Sequence, residues 1–196
     1  VIYNNKGFYG DSLAVHSGSA YGSGLYIDVN DGNVLVKDTE ISSNKLHIDG
    51  NDRTEIGGGV YIQNGNTEFI NVSIISNDSQ GLVALDSIEV INTVIFNNTL
   101  NDTLSTLVSY RYSNVQGSPV DGEGNISTNP RVDVHPGELF GYSLQLDSPC
   151  VDTGDPDPIY NNEDGSRSDI GANFLPPLYQ SRAIWGYIDI EGTSIL

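Results

Sequence analysis

The chain has 196 residues and a formal net charge of −18, from 26 acidic and 8 basic residues. This excess of negative charge argues against nucleic acid or an anionic membrane surface as partner, because both are bound through basic patches. The sequence contains no apolar run of 18 residues, so no membrane-spanning helix is expected. Its one cysteine, Cys150, excludes a disulfide within the chain and is expected to be a small buried apolar residue.

A repeated stretch organises the first half of the chain. Its copies run over residues 22–44, 57–77 and 81–98, and residues 1–5 match the end of the third copy. The copies close on Asn44, Asn77 and Asn98. The last two asparagines are 21 residues apart, and the longer spacings carry their extra residues just after the closing asparagine. Constant spacing with insertions at one corner is typical of a solenoid with loops on one face.

Each copy holds three short apolar runs rich in Val, Ile and Tyr, which turn residues separate, and such runs predict strands. Three strands in each unit predict a parallel β-helix whose units stack about 4.8 Å apart. The aligned copies predict two interior rows, one of Val36, Phe69 and Val90 and one of Ile41, Ile74 and Ile95. The closing asparagines are expected to form a ladder at a bend, because asparagine tolerates left-handed backbone and stacked amides bond to each other. The predicted fold is therefore all-β, a right-handed parallel β-helix with a β-rich C-terminal cap.

Three parts are expected along the chain. Residues 1–118 are predicted to form the repeats, and further repeats are expected upstream of them in a longer protein. The period is lost from Val120, so residues 119–174 are predicted to form a terminal coil and an acidic cap. Residues 175–196 are interpreted as a C-terminal extension or the start of a following domain.

The two insertions, residues 7–21 and 45–56, leave the same corner and are expected to lie side by side. Together they contain aromatic, histidine and charged residues: Phe8, Tyr9, His16, Tyr21, His47, Asp49, Asp52, Arg53 and Glu55. Aromatic rings beside polar side chains suit a sugar-like ligand, since rings pack on the apolar face of a pyranose. The alternative is that the loops only cover the side of the helix. A metal pair of His16 and His47 has less support, because no regular ligand spacing accompanies it.

Residues 147–169 contain seven carboxylates and one basic residue, Arg167. Crowded carboxylates repel each other, and Ca²⁺ relieves the repulsion by taking six to eight oxygen ligands from flexible loops. The candidate ligands are Asp155, Asp157, Asn161, Glu163, Asp164 and Asp169. The alternative is a solvated acidic loop in which Arg167 pairs with one aspartate. In either case this region is expected to cover the open end of the last coil, with Cys150 and Val151 filling the interior.

Three segments in this order, residues 112–117, 148–154 and 164–172, resemble the C-terminal part of secreted bacterial right-handed β-helix proteins with a choice-of-anchor Q region. The resemblance covers about residues 22–174 and implies an exported multidomain protein outside the cell or at its surface. The sequence departs from the family pattern after Ala172. The family supplies no catalytic residues to transfer to this chain.

An enzymatic function has to be weighed because parallel β-helices include polysaccharide lyases and glycoside hydrolases. A lyase needs a base and a cation that neutralises the uronate, and the candidate bases are few: Lys37, His47, Arg53 and Arg111. A hydrolase needs paired carboxylates, but the next copy has Gln63 and Asn64 where the first has Asp28 and Asp31. We therefore expect a non-catalytic extracellular scaffold that is adhesive or glycan-binding. The alternatives are part of a lyase or hydrolase acting on acidic glycans, and a self-assembling surface protein.

Overall fold

The computed structural model describes residues 2–3, 6–9, 18–48, 53–100, 107–117, 120–135, 141–162 and 164–172. For residues 2–3, 6–9, 18–21, 31, 46–48 and 53–56 it describes the backbone alone. The described residues are all-β apart from one short 3-10 helix, Pro158–Tyr160. None of the described residues belongs to a helix with the length and apolar character to span a membrane.

Fourteen strands are described. They are β1 (Ile2–Tyr3), β2 (Lys6–Tyr9), β3 (Gly18–Tyr21), β4 (Leu25–Ser42), β5 (Lys45–Ile48), β6 (Arg53–Ile56), β7 (Val60–Ile75), β8 (Leu82–Ala84), β9 (Ile88–Ile91), β10 (Val94–Phe96), β11 (Val108–Arg111), β12 (Asn114–Val115), β13 (Val132–Val134) and β14 (Tyr142–Leu144). Among them only β13 and β14 pair in antiparallel fashion.

The repeats form one curled parallel sheet, ordered β1-β4-β7-β10-β12, with β8 and β9 on β7 and β11 on β9. Its register follows the sequence alignment. Phe69 of β7 lies between Val36 and Val90, and Ile74 lies between Ile41 and Ile95. Ile2 pairs with Ile41 and Tyr3 with Ser42, so the match to the repeat holds in the fold for residues 2–3. The two predicted rows are therefore confirmed.

The inner face of the curled sheet carries the main hydrophobic core. Phe69, Ile74, Val90 and Ile95 are fully buried there, and Val36 packs against them from a half-buried position. These residues face inwards because side chains alternate along a strand.

The asparagine ladder is confirmed, but its backbone explanation needs a correction. Oδ1 of Asn77 accepts a hydrogen bond from Nδ2 of Asn44 at 2.9 Å, and Nδ2 of Asn77 donates to Oδ1 of Asn98 at 3.1 Å. The left-handed backbone lies one residue earlier, at Ser43, Ser76 and Asn97, with φ of 54°, 57° and 56°. The ladder asparagines therefore act through their amides, which bridge neighbouring repeats.

A second ladder, which the sequence analysis did not predict, occupies the preceding corner. Its members Asp38, Asn71 and Asn92 have φ of 47°, 53° and 48°. Asn92 donates to Asn71 at 3.1 Å and Asn71 donates to Asp38 at 3.0 Å. At this corner the ladder residues themselves adopt the left-handed backbone, which Asn and Asp tolerate because of their short polar side chains.

The glycines that open the copies leave room for the first ladder. A Cβ on Gly24 would lie 2.4 Å from the carbonyl oxygen of Gly59 and 2.7 Å from Nδ2 of Asn44. A Cβ on Gly59 would lie 2.4 Å from the carbonyl oxygen of Gly81. Adjacent repeats approach too closely here for any side chain.

Residues 120–126 cover the end of the last described repeat. Val120 packs against the main core, and Ile126 bridges Asn114 of β12. Asn125 donates to the carbonyl oxygen of Tyr110 at 3.0 Å and accepts from the backbone of Ser113 at 3.0 Å. These turn-rich residues thus hydrogen-bond to strand-edge groups that the acidic region, residues 147–169, was predicted to cover.

Residues 141–162 and 164–172, the lateral segment, pack along the side of the repeats. Cys150 and Ile170 are fully buried against Ile75 and Val94, in a cluster separate from the main core. The backbone N–H of Gly171 donates to the carbonyl oxygen of Asn92 in the third repeat. The backbone N–H of Ala172 donates to the hydroxyl of Ser73 in the second repeat. Cys150 is buried as expected, but it lies outside the interior that it was predicted to fill, and Val151 is only half-buried.

Candidate functional site

The described strands of the two insertions lie side by side, as predicted. β2 pairs with β5 so that Phe8 is opposite His47, and β3 pairs with β6 so that Gly18 is opposite Arg53. Tyr9 and Tyr21 belong to these strands. The other predicted ligand residues, His16, Asp49 and Asp52, lie outside the described residues. The backbone pairing brings the two loops together, and sugar binding there remains a prediction.

The predicted calcium ligands begin with Asp155, whose carboxylate is occupied by protein donors. Its Oδ2 accepts from Nη1 of Arg111, and its Oδ1 accepts from the backbone N–H of Asp157 at 2.9 Å. Oδ1 of Asp157 accepts from the N–H of Ile159 at 3.1 Å and so caps the 3-10 helix. The first two candidates therefore serve the local backbone and a guanidinium.

The remaining candidates point to separate partners. Asp164 accepts from the N–H and hydroxyl of Ser166 at 2.9 and 2.6 Å, and Asp169 accepts from the N–H of Asp152 at 2.8 Å. Asn161 donates to the carbonyl oxygen of Gly165, and Glu163 lies outside the described residues. Among the described residues, no three His, Cys, Asp or Glu side chains come together as a metal site. Calcium binding stays a hypothesis that a titration must test.

Arg111 joins the acidic loop to the repeats. Its Nε lies 3.2 Å from Oε1 of Glu89, its Nη1 donates to Asp155, and its Nη2 donates to the hydroxyl of Tyr160 at 2.6 Å. The guanidinium also lies 5.1 Å from the centre of the Tyr160 ring. Arg111, one of the four candidate lyase bases, therefore links the acidic loop to the repeats.

One of the two alternatives for the acidic loop paired Arg167 with an aspartate, but the described contacts of Arg167 are to backbone carbonyl oxygens. Its Nε donates to the carbonyl oxygen of Gly154 at 2.6 Å and its Nη2 to that of Thr153 at 3.2 Å. Its guanidinium lies 5.7 Å from the centre of the Tyr112 ring. Arg167 fixes the backbone path of the loop, while Arg111 neutralises its most buried carboxylate.

Glu40 is a fully buried carboxylate at the contact between the first repeat and the lateral segment. It accepts from the N–H groups of Gly141 and Tyr142, both at 3.2 Å, and from the hydroxyl of Ser42. Burial raises the pKa of Glu40, and the hydrogen bonds from these three residues oppose that rise.

A polar cleft of about 400 Å³ lies at the first corner of the repeats. It is lined by Val29, Asn30, Gly32, Asn33, Asn64, Gly65, Asn66 and Asp86. The cleft exists because the first repeat is longer at this corner: Asp28 pairs with Asn64 and Asn33 with Asn66, so residues 29–32 stand opposite Gly65 alone. The extra residues of the first copy between Asp28 and Asn33 are the sequence feature that indicates this cleft.

Three hydrogen bonds fix the walls of the cleft. Asn64 donates to Oδ1 of Asp28 at 2.7 Å, and Asn66 donates to Oδ1 of Asn33 at 3.2 Å. The N–H of Gly65 donates to Oδ2 of Asp86 at 2.9 Å. This bond, with a second from the N–H of Ser87, lowers the pKa of Asp86, which therefore lines the cleft as an anion at neutral pH.

A pair of stacked tyrosines stands on the same strands. The rings of Tyr26 and Tyr61 are nearly parallel, with centres 5.8 Å apart and planes 6° from each other. Tyr26 is 48% exposed and lies two residues before Asp28 in β4, so the two side chains project from the same face. Asn64, which lines the cleft, donates to this Asp28. An exposed ring on the same strands as a cleft of amides and a carboxylate can pack against and hydrogen-bond a sugar.

Comparison of the chain with protein-family models, with curated proteins and with solved structures gave no match.

Proposed function

We propose that this chain is part of a right-handed parallel β-helix that acts as a non-catalytic, glycan-binding scaffold of a secreted or surface-exposed bacterial protein. The observation that carries the binding function is the polar cleft, together with the exposed ring of Tyr26, which lies two residues before the Asp28 that Asn64 of the cleft binds. Rings pack on the apolar face of a sugar, and amides bond to its hydroxyls.

The repeat architecture supports the scaffold part of the proposal. Successive copies pair in parallel register, and two side-chain ladders hold their corners at fixed positions. Such stacking gives an elongated, rigid surface whose side faces are free for binding, as in other solenoids. The lateral segment covers one side of the repeats. The cleft and the two insertions lie elsewhere on the repeats.

The site chemistry favours binding over catalysis. Arg111 is held by Glu89, Asp155 and Tyr160. Asp86 has a lowered pKa, whereas a general acid at neutral pH needs a raised one. The enzymatic alternative, cleavage of acidic glycans, predicts release of unsaturated or reducing ends. Self-assembly of surface proteins, the other alternative, predicts oligomers without any glycan.

A glycan array with purified protein and two double variants tests the proposal. Loss of retention in Tyr26→Ala/Asn64→Ala, with retention in Tyr9→Ala/Tyr21→Ala, is the expected result. The reverse pattern would place binding on the insertions. No retention of any glycan by the unmodified protein would contradict glycan binding and favour the self-assembly alternative.

A further inference from the structure

We infer that the cleft accepts a neutral, hydroxyl-rich glycan and rejects chains that carry carboxylate or sulfate groups. The inference rests on the proposed glycan-binding function and specifies its ligand class. It differs from the enzymatic alternative, in which a lyase or hydrolase acts on acidic glycans.

The charge of the cleft is the first step. None of its described lining residues is basic, and Asp86 contributes a carboxylate that its two backbone N–H partners keep ionised. Asp28, which Asn64 binds at the edge of the cleft, adds a second acidic side chain. An anionic sugar group would enter this field with no cation among the described lining residues to compensate it, and like charges repel each other.

The hydrogen-bonding capacity of the cleft is the second step. Asn64 and Asn66 use their Nδ2 groups within the protein, and neither Oδ1 atom has a partner among the described residues. The side chain of Asn30 likewise makes no hydrogen bond to another described residue. Free amide oxygens and a carboxylate accept hydrogen bonds, and the free amide of Asn30 both donates and accepts. Sugar hydroxyls supply the donors that these oxygens need, whereas carboxylates and sulfates only accept.

The shape of the cleft is the third step. Its volume of about 400 Å³ falls in the ordinary range of ligand sites. Val29 packs over Gly65. A Cβ added to Gly65 would lie 3.2 Å from the carbonyl oxygen of Val29 and 3.3 Å from the Cβ of Val29. The first repeat has three more residues than the second at this corner, and its residues 29–32 thus build one wall of the cleft.

The test is isothermal titration calorimetry with matched oligosaccharides: neutral hexose oligomers and their counterparts of the same linkage oxidised to uronates at C6. The unmodified protein is expected to bind a neutral oligomer at least about fivefold more tightly than its uronate, because Asp86 and Asp28 repel the added carboxylates. Asp86→Asn is expected to reduce that preference. Asp121→Asn, which removes the same charge from an exposed site outside the cleft, is expected to preserve it.

Each result bears on the inference. Equal or tighter binding of the uronate by the unmodified protein would overturn it while leaving glycan binding intact. No binding of any oligomer would overturn the proposed function as well. An unchanged preference in both Asp86→Asn and Asp28→Asn, each checked for folding by its melting curve, would show that the cleft carboxylates do not set the ligand class.

Discussion

Arg111 and Asp155 form a salt bridge that joins the last described repeat to the acidic loop. The Asp155 side chain is only 6% exposed and that of Arg111 is 33% exposed. The pair is one of three contacts of the guanidinium, with Glu89 and Tyr160 completing the set. The lateral segment is therefore attached through a partly buried charge and not through hydrophobic contacts alone.

Removing the charge of Asp155 should destabilise the protein strongly. Asp155→Asn is expected to lower the free energy of unfolding by about 3 kcal/mol, because the partly buried guanidinium loses the more buried of its two carboxylate partners and keeps only Glu89. Urea denaturation measures the change. Arg131 and Asp147 form a matched control pair at 52% and 70% exposure, and Asp147→Asn should cost less than about 1 kcal/mol. Similar losses in the two variants would contradict the assigned role of Arg111.

The repeats were predictable because identical side chains must stack at identical positions. The rows through Phe69 and Ile74 and the ladder through Asn77 followed from the alignment alone. The partners of Arg111 and Asp155 did not, because Arg111 lies in the last described repeat and Asp155 lies 44 residues later, in a region without a period. The cleft was not predicted for a related reason. The residues between Asp28 and Asn33 have only Gly65 opposite them in the next copy, so the alignment gives them no equivalents, and those residues form the wall of the cleft.

Asn77 is the central member of the closing ladder and should contribute strongly to stability. Its side chain accepts from the backbone and side chain of Asn44 and donates to Asn98 and to the carbonyl oxygen of Ile41. Asn77→Ala leaves several of these buried groups unsatisfied, at roughly 1–3 kcal/mol for each group. We expect a loss of at least about 3 kcal/mol by urea denaturation.

The control for the ladder is Asn66, which makes a comparable amide contact with Asn33 at an exposed position. Because water replaces the lost partner there, Asn66→Ala should cost no more than about 1 kcal/mol. If the two variants lost the same stability, the buried ladder would contribute nothing beyond an ordinary surface hydrogen bond.

Glu40 should make stability depend on pH. Burial raises its pKa in the folded protein above the ordinary value of about 4.3. Between these two values the folded state binds more protons than the unfolded state, so stability falls as pH rises through the window. Glu40→Gln should flatten this slope of the unfolding free energy in the pH range just above the ordinary value of about 4.3.

Other carboxylates act in the same measurement and can be separated. Burial also raises the pKa of Asp169, so Asp169→Asn should flatten the slope further. The pKa values of Asp86 and Asp164 are lowered by hydrogen bonds, and their contributions are lost only below the ordinary value of about 3.9. A slope identical in Glu40→Gln and the unmodified protein would refute the role given to Glu40.

The acidic loop provides the last prediction, on calcium. If an ion held the loop, a Ca²⁺ concentration a hundred times its dissociation constant would add about 2.7 kcal/mol of stability, chelator would lower the melting temperature, and Asp157→Asn would abolish the difference. The carboxylates of Asp155, Asp157, Asp164 and Asp169 instead bond to four different sets of protein donors. We therefore expect the melting temperature to change little between excess Ca²⁺ and chelator, and Arg167→Met to lower it in both. A rise with Ca²⁺ that Asp157→Asn removes would show that these side chains turn from their protein donors to bind an ion.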